Sequence, residues 1–183
     1  MQGKQSSTPA AEVFLRALEM DDLDRLHRWH NDPALYESLV GTFRSVSRSA
    51  EEEWLRKRVA YSTQEENFAI CTRADARHIG NAYLRDIDWV SRNANVSIFI
   101  GDTEQRHRGH GTGATLLLMR HAFRDLGLFR LCCLLLEENT ASRRMFEKCG
   151  WAVEGRLRGH TFKDGAYRDT LLLAALSDGA RTA

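Results

Sequence analysis

Little in this chain of 183 residues is lopsided, and each missing excess removes a class of function. Its 26 basic and 25 acidic residues leave a formal net charge of +1, so there is no bulk electrostatic case for binding nucleic acid. The longest apolar run, Leu131 to Leu136, falls far short of the ~20 residues that a membrane-spanning helix requires. Residues 1–11 are polar and lack the apolar centre of a signal peptide. Cys71, Cys132, Cys133 and Cys149 have neither the paired spacing of a metal site nor the density of a disulfide scaffold. They read as reduced, mostly buried thiols, and no metal site is expected. Internal repeats and low-complexity segments are also missing. What remains is one domain, because 43% hydrophobic residues at this length supply one well-buried core and not two. The expectation is a soluble cytoplasmic protein with no nucleic-acid or membrane partner, folded over residues 12–178, with loose tails at 1–11 and 179–183.

The stretch Gln105-Arg-His-Arg-Gly-His-Gly-Thr-Gly113 is the most informative in the chain. A β-branched and aromatic run, Asn95 to Ile100, precedes it and reads as a strand; an apolar-periodic segment follows and reads as a helix. Strand, glycine turn and helix in that order make an anion cradle: glycines let backbone approach a ligand, and the first helical turn offers unpaired N–H groups and a favourable dipole. A Walker A loop requires a Lys, and none is present here. The dinucleotide fingerprint Gly-x-Gly-x-x-Gly is also a poor match, since the third glycine comes one residue early, at Gly113. The local basic cluster Arg106, His107, Arg108 and His110 suits a phosphate better than a duplex.

Periodicity divides the rest. Val13 to Leu18 reads as a strand, and a helix opens at Met20-Asp21-Asp22-Leu23 with Leu23, Leu26 and Trp29 or His30 inward. His27 and His30 are expected at its surface. Asp32 as N-cap and Pro33 as first helical residue start a short helix carrying Leu35 and Leu39 and ending at Gly41. The spacing Ser49-x-x-Glu52 reads as a capping box opening a third helix with Trp54, Leu55 and Val59. Phe68 to Cys71 and His78 to Arg85 form a hairpin around Asp75, Asp86 to Trp89 leaves it, and three antiparallel strands precede the glycine loop. The helix after the loop places Leu116, Met119, Phe123 and Leu126 on one face, with Leu116, Met119 and Phe123 as core, and closes at Gly127. Arg130 to Glu137 reads as a strand buried on both faces, parallel to the one before the loop. A helix from Asn139 to Cys149 ends at Gly150, and Trp151 to Arg158 and Asp169 to Leu176 are strands around the turn at Lys163 to Ala166. Trp54 and Trp151 read as core or rim.

Arg106-x-x-Gly109-x-Gly111 resembles the Gln/Arg-x-x-Gly-x-Gly/Ala motif of the GCN5-related N-acetyltransferase (GNAT) family, which holds the pyrophosphate of acetyl-CoA. At the family's spacing after it, Asn139-Thr-Ala-Ser142-Arg-Arg144-Met-Phe146-Glu147-Lys148-Cys-Gly150-Trp151 is similar to the family's Asn-x-x-Ser/Ala-x-x-x-Tyr/Phe-x-Lys-x-Gly-Phe segment. Arg144, Glu147 and Lys148, with Glu154 to Arg158 and Asp164-Gly165-x-Tyr167-x-Asp169, resemble the branch holding ribosomal-protein N-terminal acetyltransferases and spermidine acetyltransferases. The likeness runs from Val13 to Leu176. It implies an α+β fold, a mixed and mostly antiparallel sheet of about six to seven strands with four to five helices on both faces. It also implies acetyl-CoA as acyl donor, a small-molecule or peptide amine as partner, and leaves room for a homodimer.

By the same resemblance, the donor is held by Ile98, Phe99 and Ile100 beside a strand bulge, by the loop residues Arg106, His107, Arg108, Gly109, His110, Gly111, Thr112 and Gly113, and by Asn139, Ser142 and Phe146. Asn139 is equally a preferred helix cap. Many members add a Glu on the strand before the loop as base and a Tyr on the last helix as acid; here Asn95 and Phe146 occupy those places. Three readings stay open: direct attack on the thioester by positioning alone, a base reached through water, or a non-catalytic acyl-CoA sensor. Asp86 is the candidate proton relay, with Ser142 or Tyr167 candidate donors to the leaving thiolate. Tyr36, Glu37, Tyr83, Asp86 and Asp88 are candidates for the amine pocket, whose occupant is a protein N-terminus, a polyamine or an amino sugar. A polyamine requires several converging carboxylates.

Overall fold

The computed structural model describes residues 12–177, so the two expected tails, and residue 178, lie outside the described residues. Seven strands form one sheet: β1 (Val13–Ala17), β2 (Glu66–Thr72), β3 (His78–Asp88), β4 (Asn93–Ile100), β5 (Arg130–Leu136), β6 (Ala152–Lys163) and β7 (Ala166–Leu176). Their order is β1-β2-β3-β4-β5-β7-β6, antiparallel everywhere except between β4 and β5. The mixed, mostly antiparallel sheet is therefore as expected, although β1 makes four antiparallel strands before the glycine loop. The last two strands are also longer than the periodicity suggested.

Alternation along the strands sends side chains to two cores, because successive residues point to opposite faces. On one face Ile70, Ala82 and Leu84 pack with Ala114 and Leu118 of α4 (His110–Arg120), with Ala122 just beyond it, and with Phe146 of α5 (Thr140–Lys148) and its C-cap Cys149. On the other, Ala69, Cys71 and Tyr83 meet Leu26 and Trp29 of α1 (Leu23–His30), Leu35 of α2 (Pro33–Tyr36) and Leu55 of α3 (Arg48–Val59). The four cysteines are free thiols, and all but Cys132 are buried. None of the helices among the described residues is long and apolar enough to cross a membrane.

Several local expectations shift. The cap of α3 is Ser47, whose hydroxyl accepts from the Ala50 N–H at 3.2 Å, so the helix starts before the Ser49 box. That turns Glu51, not Glu52, inward, and Glu51 is 1% exposed. Along α4 and the π-turn over His121–Asp125 that follows it, the fully buried line is Ala114, Leu118 and Ala122, while Leu116, Met119 and Phe123 flank it half-buried, and the chain turns at Gly127. Strand β5 is not buried on both faces throughout: Leu134 is 38% exposed, while Leu131, Cys133 and Leu136 are buried. Part of its apolar run, Cys133 to Leu135, lines a cleft. Trp151 is core and packs on Phe146, with ring centroids 4.8 Å apart.

Candidate active site

The cleft exists because two neighbouring strands stop being neighbours. Parallel pairing of β4 with β5 covers only Asn93, Ala94 and Asn95 against Arg130, Leu131 and Cys132. Beyond that point β4 stays with β3 up to Ile100, and β5 stays with β7 up to Leu136. The facing edges splay, and among the described residues no strand pairs with that edge of β4 from Val96 onward, although backbone polar groups are obligatory hydrogen-bonding groups. The resemblance implied a bulge near Ile98 to Ile100; instead β4 keeps its register there and the irregularity lies on β3, between Arg85 and Asp88. The opening is about 300 Å3 and reaches from Val96–Phe99 and Cys133–Leu135 to α5 and to the residues around α1 and α2.

At the outer end, α4 starts at Gly109, whose φ of 85° is costly for residues with a Cβ. No side chain caps this helix, whereas Asp32, Ser47 and Asn139 cap α2, α3 and α5. The first three helical N–H groups, on His110, Gly111 and Thr112, therefore have no intrahelical acceptor. A Cβ at Gly111 would lie 2.8 Å from the Met145 sulfur, so a side chain there strains the α4–α5 packing. Arg106 Nε donates to the Ile100 carbonyl at 3.0 Å, tying the loop to the end of β4, while its Nη2 is buried without a partner. His110 is buried, with Nε2 donating to Gln105 Oε1 at 3.1 Å and Nδ1 unpartnered. Arg108 and His107 are both exposed. An uncapped helix start, free donors and a glycine floor suit a diphosphate, and the splayed edge suits an extended amide arm added as a strand.

At the inner end, Asn139 Oδ1 caps α5 through the Ser142 N–H at 3.0 Å, and its Nδ2 donates to the Ser38 carbonyl at 2.8 Å. Its capping and cleft-lining roles are thus held together in one side chain. Ser142 and Phe146 line the same space.

The face carrying α1–α3 adds His30, Tyr36, Tyr83 and Arg85 around Phe99. Tyr83 is 3% exposed with its hydroxyl unpartnered, and burial drives its phenol far above the usual range. Burial also raises the Tyr36 phenol, so both tyrosines stay neutral donors at physiological pH. The Arg85 guanidinium stacks over Tyr83 at 4.6 Å, its Nε buried without a partner.

Other sequence candidates fall elsewhere. Asp86, at φ 52° in the β3 irregularity, accepts from Asn95 Nδ2 at 2.9 Å and does not line the cleft. Asp88 accepts from the Val90 and Ser91 N–H groups of the following turn. Glu37 and Tyr167 are exposed and away from the lining. Sequence reasoning missed His30, Glu51, Arg85 and Lys163. His30 is not a surface residue: its Nδ1 lies 2.8 Å from Glu51 Oε1, and its ring meets Trp54 edge-on. The half-buried His27 is tied to the Val46 carbonyl at 3.0 Å. The buried Lys163 ammonium donates to the carbonyls of Tyr36, Leu39 and Gly41 and so holds the cleft's rim. The stripe Glu51, Trp54, Leu55 and Arg58 did carry a signal, a carboxylate heading an i, i+3, i+4, i+7 inner face.

Residues 12–152 match the model of the acetyltransferase (GNAT) domain. The chain belongs to the GNAT family. Spermidine N(1)-acetyltransferases of Escherichia coli (strain K12) and Vibrio cholerae are each 28% identical to it, over 166 and 162 residues, covering 88% and 87% of this chain and 84% and 90% of theirs. A putative ribosomal N-acetyltransferase of Bacillus subtilis is 28% identical over 102 residues, 56% of this chain and 55% of its own. The crystal structure of the Vibrio cholerae spermidine N-acetyltransferase in complex with CoA and spermine superposes with a TM-score of 0.84 at 25% identity, covering 91% of this chain and 96% of that one. A dodecameric structure of that enzyme gives 0.76. This GNAT protein is accordingly an enzyme, an acetyl-CoA-dependent N-acetyltransferase acting on amines, and the reading as a non-catalytic sensor gives way.

Proposed function

We propose that the acceptor is an α-amino group, of an amino acid or of a peptide N-terminus, and not a polyamine. The observation that carries this reading is the charge of the acceptor wall. The cleft lining contains no Asp or Glu, and it does contain Arg85, which forms no ion pair among the described residues. A polyamine carries several positive charges and requires several carboxylates, but the acidic residues of the helical region do not converge. Glu51 is taken by His30, Glu52 by Arg56, Glu53 by Lys57 and Glu65 by Arg58. An α-amino group carries a single charge beside a carbonyl or carboxylate oxygen, and that oxygen suits the donors of an unpaired guanidinium. His30, Tyr36, Tyr83 and Phe99 form a mostly aromatic wall for the rest of the acceptor.

In this reading the GNAT enzyme binds its donor through the α4 N-terminus and the open edge of β4, which places the acetyl group between Phe99 and Phe146. The thioester delivers the acetyl group, the amine nitrogen forms the new C–N bond, and the C–S bond breaks. Phe146 has no proton to give and serves as a wall; the weakly basic thiolate, of reference thiol pKa about 8.5, leaves without a tyrosine acid. The test is kcat/KM, from thiol release, for short peptides, free amino acids, an amino sugar and spermidine. Acceptors with an α-amino group are expected to lead by about tenfold or more, some 1.4 kcal/mol of transition-state binding. A preference for spermidine would replace this reading with the polyamine activity for which the Escherichia coli and Vibrio cholerae relatives are named.

A further inference from the structure

The absent Glu of β4 leaves open which group takes the proton from the incoming ammonium. From the geometry we infer that His30 is this enzyme's general base, held in its working tautomer by Glu51. Three observations meet at this pair. His30 Nδ1 lies 2.8 Å and 3.0 Å from the two oxygens of Glu51, so a carboxylate grips one ring nitrogen. Glu51 is 1% exposed, and the His30 ring is its hydrogen-bond partner. The ring is fixed edge-on to Trp54, with centroids 5.1 Å apart, and lies 6.3 Å from Phe99, on the strand along which the donor runs. A buried carboxylate behind an imidazole that faces a cleft is the arrangement by which enzymes orient a histidine.

The chemistry follows from the tautomer. The Glu51 carboxylate accepts, so Nδ1 carries the proton and donates, and the lone pair of the ring resides on Nε2. An amine arrives mostly as R–NH3+, which has no electron pair to attack with. Nε2 takes one proton, leaving R–NH2 and an imidazolium whose charge Glu51 stabilises. The nitrogen then attacks the thioester carbonyl and the C–S bond breaks. The second proton lost by nitrogen is matched by the proton the thiolate gains, and the imidazolium returns its proton to water. The sum is R–NH3+ and acetyl-CoA giving R–NH–acetyl, CoA-SH and one H+. Other charged and titratable groups facing the pair are Tyr36, Tyr83 and, through Trp54 and Tyr83, Arg58 and Arg85. Both phenols are held neutral at working pH and do not compete for the proton. His30 is the catalytic residue and Glu51 a positioning residue.

The test is the pH dependence of kcat in His30→Gln and Glu51→Gln, for whichever amine the wild type turns over, so its outcome does not depend on the acceptor being an α-amino group. At pH 7 the rate of His30→Gln should fall about a hundredfold, the low end of what a general base contributes. Glu51→Gln should fall about tenfold, as expected when a group orienting a histidine is lost. Acetyl-CoA affinity by titration calorimetry should be unchanged in both, which also certifies a folded protein. Both deficits should shrink as pH approaches and passes the acceptor's own pKa, about 8 for an α-amino group, because the amine then arrives already deprotonated. A deficit equal at every pH, or a wild-type rate in His30→Gln at pH 7, would overturn the assignment. Should either variant lose acetyl-CoA binding, His30→Asn and Glu51→Asp are read in the same way, and a flat deficit there counts equally against it.

Discussion

In the proposed reading, the donor wall of the cleft is made mostly of backbone from two short contiguous stretches, whereas the acceptor wall is made of side chains delivered by elements far apart in the chain. The donor wall consists of the β4 edge, the uncapped start of α4 and the first turn of α5. Its chemistry is generic, with N–H groups, a dipole and glycines that keep Cβ atoms out of the way. In that reading the acceptor wall takes His30 from α1, Tyr36 from α2 and Tyr83 and Arg85 from β3, with Glu51 of α3 behind His30 and outside the lining, and its chemistry changes with every substitution. A scaffold can keep the first wall while rewriting the second. This accounts for a chain that shares 25% identity with the Vibrio cholerae enzyme, superposes on it with a TM-score of 0.84, and carries an acceptor lining without carboxylates.

The largest expected effect comes from removing what fastens the acceptor side to the sheet. Asp22, 4% exposed, receives two hydrogen bonds of 2.7 Å from Arg16 on β1, accepts from the Glu19 N–H at 2.9 Å and lies 2.9 Å from His78 on β3. Burial alone would raise its carboxyl, but Arg16 and His78 hold it well below the usual range. Asp22→Ala strands a half-buried guanidinium and should cost about 3 kcal/mol in chemical denaturation. Because the folded carboxyl is depressed, its contribution is complete above the unfolded value near pH 4 and is lost as pH falls through the folded one. Acid unfolding of the wild type should therefore be steeper below pH 4 than that of the variant, and parallel curves would sever the link.

Next in size is the donor wall. Gly111→Glu places a side chain against Met145 and a negative charge where the proposed reading puts the phosphates, and should weaken acetyl-CoA binding at least about a hundredfold, near 2.8 kcal/mol. Arg85→Ala should raise KM for an α-amino acceptor about tenfold with the donor constant unchanged; an equal loss for spermidine would show that Arg85 does not read the acceptor. Smallest is Phe146→Tyr. Phe146 is 3% exposed and packed on Trp151, so an added hydroxyl should change kcat by less than about tenfold, or ~1.4 kcal/mol. A hundredfold gain would mean that the native enzyme is limited by a missing proton donor.

The two walls also differ in how legible they were. Gly109 and Gly111 at a strand-to-helix junction, and Asn139 opening a helix, announce themselves because the backbone geometry demands those residues locally. The hairpins β2–β3 and β6–β7 and the parallel pair β4–β5 were readable for the same reason, since their periods and turns are local, whereas the place of β7 between β5 and β6 is not local. Nothing local distinguishes His30 from a surface histidine, or Glu51 from Glu52 and Glu53. Their meaning depends on α3 being capped by Ser47, two residues before the apparent capping box at Ser49, with Glu51 as the carboxylate that faces inward. Lys163 is similar: it reads as a turn residue until the long β6–β7 hairpin brings its ammonium onto the carbonyls of residues 36–41. Asp86 misled in the other direction. Its place beside Asn95 is as the pairing suggested, but the irregularity after Arg85 turns its carboxylate out of the cleft.

The separation of the two walls is tested most directly by titrating acetyl-CoA, in one calorimetric series, into the wild type, Gly111→Glu and Arg85→Ala. The account predicts that Gly111→Glu loses the donor while Arg85→Ala binds it as the wild type does, its defect confined to the acceptor. Donor binding retained in Gly111→Glu, or lost in Arg85→Ala, would contradict it.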